Sequence, residues 1–525
     1  MLHKIWQKIN NTVMGGAILI TGFSFLSKVF ALLRERLIAH NFGASQISDI
    51  YYAAFRLPDL IFNTLVLGAL TSAFIPVFQK AWTKDRDKAL ILANSVLNFF
   101  LFIMAILVVL AFVFAPKIMQ VLTPGFLAWQ LERVTYLTRI MLFAVFFFVA
   151  SNLLGGVLNS WKKFFSFSLA SSFYNIGIII GIVWLYPIFS LSGLAWGVVL
   201  GAAMHLLVQL PEAYKHGYHY QLTFKFSQEL KRILWLMLPR TFSLAVGQLN
   251  LIATTVIAST LSAGSIAVFN LANNLQSLPV SLFAVSLAIA VFPTFTQAIN
   301  EDNKQLFAKT FSQSFRRILF LLVPLSVFIL ILRAQFVRIV LGSGAFNWDN
   351  TYYTAQALGC FAISIFAQGL IPLLARSFYA CEDTKIPMYI SLFSVAINIV
   401  LSISLAKPYG VLGLATAFSI SSILNMILLY IFLHRHVRDL DDQIIFISSL
   451  KITFNSLLAG VLAYLALHFI APLVDMHSFI GIFSQGLVAG TVGLLSYLIL
   501  GIVFKLEEVA LFKKLFKKGL LIFKR

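Results

Sequence analysis

Eight ionisable residues stand inside stretches apolar enough to cross a membrane: Lys28, Arg34, Glu35, Arg36, Asp49, Arg56, Asp59 and Arg240. An ionised side chain at the centre of such a helix costs roughly 2.5 to 3.5 kcal/mol on insertion scales, so it is retained where it faces a bundle interior or a watery cavity. All but Arg240 fall in the first two apolar runs, and bases outnumber acids among the eight. That excess suits an anion, and guanidinium groups match phosphate oxygens through paired hydrogen bonds. Lys28 and Arg34 are the foremost candidates, because no one end of the run lies within snorkelling reach of both. Glu35 is read as neutralising a neighbouring Arg. Arg36 and Asp49, near one membrane face, either pair with each other or serve the cavity. Asp59, one residue after Pro58, either caps a restarting helix or joins the site.

Helical geometry limits how Lys28 and Arg34 act together. Six residues at about 100° each place them about 240° apart on a straight helix. A shared cavity therefore requires the first helix to bend or unwind, and Ala31 is where that break is expected.

The elements that must position these residues are about fourteen apolar runs. The first two cover 13–39 and 50–78, and the last two 447–470 and 479–504. A bilayer span needs about 20 apolar residues. With 525 residues, 60% of them hydrophobic, and a mean hydropathy of +0.91, the chain reads as an all-α polytopic membrane protein. Most of its 39 Lys and Arg fall in alternate loops. The positive-inside rule then places both termini in the cytoplasm of a cell whose inner membrane holds the protein. The net charge of +20 follows this loop pattern, so nucleic acid is not the expected partner. The Lys513 to Lys518 cluster reads as a stop-transfer anchor against membrane lipids. The first run continues into charged residues and lacks a small-residue cleavage site, which argues for retention. Cys360 and Cys381 make no disulfide framework, and the nine histidines hold no HExxH metal motif.

The chain also repeats itself at an offset of about 220 residues. Ser192-Gly193-Leu194-Ala195 recurs as Leu412-Gly413-Leu414-Ala415, and Ala73-Phe74-Ile75-Pro76-Val77-Phe78 as Ala290-Val291-Phe292-Pro293-Thr294-Phe295. Asn175 and Asn398 hold matching places in spans five and eleven. Six helices per repeat give both halves one topology, so the repeats are parallel. The expected division is an N-lobe at 1–215, a C-lobe at 216–440 that begins with the linker around Lys215 to Gln228, and two added spans with a basic tail at 441–525. A cleft between the lobes would open alternately to each side.

Several motifs resemble one family. Asn41-Phe42-Gly43-Ala44, Ser48-Asp49, Ala54-Phe55-Arg56-Leu57-Pro58-Asp59 and Ala73-Phe74-Ile75-Pro76 resemble the opening signature of the MurJ (MviN) lipid II flippases. Leu238-Pro239-Arg240, Gln248-Leu249-Asn250, Asn274-Leu275-Gln276-Ser277-Leu278-Pro279 and Arg376-Ser377-Phe378-Tyr379-Ala380 extend the likeness over essentially the whole chain. The resemblance implies a fourteen-helix fold of the multidrug/oligosaccharidyl-lipid/polysaccharide exporter superfamily. It also implies translocation of lipid-linked peptidoglycan precursor between leaflets, with diphosphate and sugar in a cationic cavity and the prenyl tail beside the last two spans. On the matching positions it implies Lys28, Arg34, Asp49, Arg56, Arg240, Gln248, Asn250 and Asn274 as substrate-binding residues. Phe62, Asn63 and Leu67 stand where many members carry charge, and Asn274 where some carry Arg.

No nucleophile with a base appears, and no P-loop, so a transporter without cofactor or metal is expected rather than an enzyme. A flippase for another polyprenyl-diphosphate saccharide is the alternative. A multidrug antiporter would want a negative cavity. A scaffold for cell-wall synthesis proteins would leave the charges in the first two spans unexplained.

Overall fold

The computed structural model describes residues 13–67, 69–437, 439–476 and 478–509, and every regular element among them is helical. Ten helices are long and apolar enough to cross a bilayer, from Arg86–Leu122 (span three) to Phe479–Val503 (span fourteen). Span ten is a bent pair, Trp348–Ala362 and Ile365–Ala380, meeting at 46°. Spans one (Val13–Phe42) and seven (Gln228–Ser259) are single helices. Span two is broken into Gln46–Ala54, Arg56–Phe62, a π-helical turn at Asn63–Leu67, and Ala69–Lys84. These three complete the fourteen, and they carry all eight intramembrane charges that stand out in the sequence.

The chain forms two compact units, Met1–Ala267 and Val268–Arg525. In the first, Phe74 and Phe78 of span two are fully buried against spans three and four. Span seven packs on spans two and three of this unit. In the second, Phe295, Phe307, Phe311 and Phe378 fill the equivalent core.

Spans five (Phe164–Phe189) and six (Leu191–Lys215) approach closely because glycines line the seam. A Cβ on Gly177 would lie 2.2 Å from the Cα of Gly201, and one on Gly181 2.5 Å from the Cα of Gly197. Small residues one turn apart let helix backbones meet where lipid supplies no hydrophobic drive. The duplication is visible at this seam. A Cβ on Gly193 would strike the Leu185 carbonyl oxygen at 2.3 Å, and one on Gly413 the Leu405 oxygen at 2.2 Å. The connecting turn repeats too, with Ser190 at φ 51°, ψ −141° and Gly410 at φ 58°, ψ −137°.

Three glycines of span fourteen also pack against neighbouring helices. Gly486, Gly490 and Gly493 lie against Gln335, Leu332 and Phe328 of span nine (Lys304–Ile331) and the short helix Arg333–Leu341 that follows it. Within span nine, buried Arg316 pairs with Glu507 (2.8 Å) and Glu508 (3.0 Å), fastening the segment after span fourteen.

Ser190 holds a conformation that L-residues rarely adopt and glycine adopts readily. Ser190→Gly is therefore expected to stabilise the protein by about 0.5 to 1 kcal/mol, seen as a higher melting temperature in detergent, while Gly410→Ser lowers it. An unchanged or lower value for Ser190→Gly would contradict the strain.

Candidate functional site

Span one brings Arg34 into unit one as the centre of a polar network. Arg34 forms an ion pair with its neighbour Glu35, and its Nη1 donates to Asn175 Oδ1 of span five at 3.1 Å. The Tyr52 hydroxyl of span two donates to the other Glu35 oxygen at 2.6 Å. Asn175 is itself oriented, since its amide group donates to the Ser171 carbonyl at 3.0 Å. Glu35 thus neutralises the arginine, as expected, while Arg34 Nε is buried without a hydrogen-bond partner among the described residues.

Lys28 is half-buried and makes no hydrogen bond or ion pair with the described residues. The expected unwinding near Ala31 is absent: span one is unbroken α-helix from Val13 to Phe42. Val29 to Leu33 contain neither glycine nor proline, so nothing interrupts the backbone ladder there.

The break occurs instead in span two. Arg56 starts the helix Arg56–Phe62, and its Nε donates to Thr255 Oγ1 of span seven at 2.7 Å. Asp59 does not cap this helix, whose N-cap is Phe55. It lines a cavity of about 230 Å³ together with Asn63, Asn152, Tyr174, Asn175 and His205. The π-helical turn begins at Asn63, on this wall. Such turns commonly mark functional sites because they re-aim side chains within a helix. His205 is held by Ser151, to which Gln209 also donates at 2.6 Å.

Asp49 does something different. Its carboxylate accepts the amides of Gly264 (2.6 Å) and Ala267 (2.8 Å), where the helix Ser265–Pro279 begins. A helix N-terminus presents unpaired amides and a positive dipole, and a carboxylate satisfies both. Gly264, at φ +89°, fits because a Cβ there would lie 2.3 Å from the Ala44 carbonyl oxygen.

The remaining sequence candidates are dispersed. Gln248 and Asn250 are half-buried on span seven. The Arg240 side chain lies outside the described residues. Asn274 belongs to unit two, where its carbonyl accepts the Ser277 hydroxyl at 2.9 Å. Nearby, Gln276 donates to Asn273 and Gln368, both at 3.0 Å, and Gln368 donates to Ser364 at 2.9 Å. Tyr52, Thr255, His205 and Gln368 escaped the sequence reading. Their signal is a neutral polar side chain within an otherwise apolar span.

A bundle of membrane-crossing helices, with guanidinium groups held inside it by neutral and acidic partners, is the build of a polytopic membrane transporter. Comparison with known proteins is specific. Residues 38–484 match the family model described as lipid II flippase MurJ, and the chain belongs to that family. It is 30% identical over 451 residues to the probable lipid II flippase MurJ of Buchnera aphidicola subsp. Acyrthosiphon pisum (strain APS), covering 85% of this chain and 88% of the relative. It is 29% identical over 428 residues to the lipid II flippase MurJ of Burkholderia cenocepacia, covering 79% and 83%. A solved structure of lipid II flippase MurJ in an inward closed conformation superposes with a TM-score of 0.78 at 25% identity, over 93% of this chain and 98% of that one. An inward-facing multidrug resistance MATE family transporter of the MOP superfamily shares the fold at 16% identity and a TM-score of 0.67, over 81% and 99%.

Each charged hydrogen bond is worth about 1.5 to 3 kcal/mol, so Asp49→Ala should lower stability by about 2 kcal/mol or more. Thermal unfolding in detergent checks this. A melting curve matching the wild type would show that the two amides find equivalent partners without the carboxylate.

Proposed function

We propose that this chain moves lipid II, the lipid-linked peptidoglycan precursor, from the inner to the outer leaflet of the cytoplasmic membrane by alternating access. Both termini lie in the cytoplasm, on the side of the basic loops. The observation that carries the reading is the arginine network of unit one: Arg34 and Arg56 are held at membrane depth by Asn175, Glu35 and Thr255. A diphosphate entering beside them would accept the guanidinium donors. Lys28, half-buried on the same unbroken helix, points about 240° away from Arg34 and would meet the substrate apart from the group that Arg34 holds.

Asp59 gives the cavity a second polarity. A lone carboxylate beside Asn63, Asn152 and Tyr174 suits hydroxyl and amide groups of a sugar-peptide head group. Gln248, Asn250, Arg240 and Asn274 would complete contacts to that head group. The amides held by Asp49 act as a latch at the membrane face opposite the basic loops, and opening toward that face requires their release.

Complementation tests this reading. In a cell depleted of its own lipid II flippase, the chain should restore growth and outer-leaflet lipid II. Arg34→Ala and Arg56→Ala at wild-type abundance should each reduce the outer-leaflet pool by about tenfold or more, the equivalent of one lost charged contact. No outer-leaflet lipid II with the wild-type chain would overturn the flippase reading. Full activity of both variants would overturn the assigned roles of the arginines.

A further inference from the structure

The segment joining spans six and seven lies against span three in an unusual way. Residues 218–227 form no helix or strand, yet their backbone is tied to three side chains of span three. Asn94 donates to the His219 carbonyl (2.9 Å), and Asn98 donates to the carbonyls of Gln221 and Thr223 (both 3.0 Å). The Lys225 amide donates to Ser95 Oγ at 3.3 Å. The hydroxyls of Tyr218 and Tyr220 return to Asn94 and Asn98 at 2.8 and 2.9 Å. Irregular backbone survives at membrane depth only where protein satisfies its polar groups, and these asparagines do so.

The other side of the segment is apolar. Tyr220, Leu222, Phe224 and Phe226 alternate with polar residues, and Leu222, Phe224 and Phe226 are 77%, 59% and 66% exposed. Phe224, Phe226 and Leu230 join Phe99 and Phe102 of span three around an open apolar pocket of about 390 Å³. Asn94 is eight residues, or about 12 Å, into a 37-residue helix that crosses the membrane, so the pocket opens at the edge of the hydrocarbon. Lys225 stands between the lining residues Phe224 and Phe226, and Lys231 follows Leu230; both are exposed, with Glu229 the one acid among residues 218–232.

We propose that this pocket is a binding site for an anionic phospholipid of the leaflet facing the basic loops. One acyl chain lies between Phe99, Phe102, Phe224 and Phe226, and the phosphate is met by Lys225 and Lys231. Apolar contact alone would accept any phospholipid, and the basic rim supplies the preference for an anionic one. The bound lipid fixes the linker at the interface. The site is separate from the arginine network and does not rest on the flippase reading.

The test uses the full chain in detergent micelles and phosphatidylglycerol carrying a photoreactive acyl chain, beside phosphatidylcholine with the same chains. Phosphatidylglycerol should label peptides containing Phe99 to Phe102 and Phe224 to Leu230, at least fivefold more strongly than phosphatidylcholine. The variant Lys225→Gln/Lys231→Gln changes only exposed side chains and should lose this preference while keeping the wild-type melting curve. Equal labelling by the two lipids, labelling confined to other spans, or an unchanged preference in the variant would overturn the proposal. So would tenfold stronger competition by undecaprenyl phosphate than by unlabelled phosphatidylglycerol, which would make this a prenyl-tail site. If the variant unfolds, the comparison of lipids on the wild-type chain still decides.

Discussion

A charged side chain buried within hydrocarbon needs a partner, and the packing around Arg34, Glu35 and Arg56 follows from that requirement. Arg34 is held between Glu35 and Asn175, Glu35 between Arg34 and Tyr52, and Arg56 by Thr255. The bonds to Asn175, Tyr52 and Thr255 run between spans, so these charges also act as tie points for unit one. Span two breaks at Arg56 and again in the π-helical turn at Asn63–Leu67, and the carboxylate of Asp59 is thereby brought to the cavity wall beside span five. A regular helix over the same residues would present a different face after each break.

The neutral parts of the fold serve the same end. Glycine seams let spans five and six approach within backbone contact, and Asn175 sits two residues before the tightest of these contacts, at Gly177. Its amide is further aligned by the Ser171 carbonyl, so the oxygen presented to Arg34 is fixed. Rigid seams and exchangeable charged bonds suit a transporter. Guanidinium groups trade one set of acceptors for another while the helices that carry them stay intact. In unit two the corresponding polar chain, from Gln276 through Gln368 to Ser364, contains no charge. On the flippase reading, the anion is therefore served mainly from unit one.

The apolar runs, the seven charges of the first two spans and the duplication were legible in the sequence, because each depends on composition or on identical residues at a constant offset. Glu35 as the neutraliser of Arg34 was legible for the same reason, since adjacent opposite charges have few other outlets in lipid. The partners of Asp49 were not. Backbone amides carry no sequence signature, and those of Gly264 and Ala267 are more than 200 residues away. Asn175 was visible as a repeat marker but not as a ligand of Arg34, which depends on how spans one and five pack. The break expected at Ala31 was inferred from the angle between two side chains. An aliphatic run without glycine or proline kept that helix whole, and the irregularity went to span two, where Pro58 and the π-helical turn accommodate it.

The central claim is that a guanidinium at membrane depth recognises the diphosphate itself, and a coupling measurement addresses it most directly. The affinities of the wild-type protein and Arg56→Gln in lipid nanodiscs would be compared for lipid II and for an analogue with a single phosphate. A direct contact predicts that the substitution weakens lipid II binding more than analogue binding, with a coupling of about 1 kcal/mol or more. Equal losses for both ligands, in a variant that melts like the wild type, would mean that Arg56 shapes the bundle without reading the diphosphate.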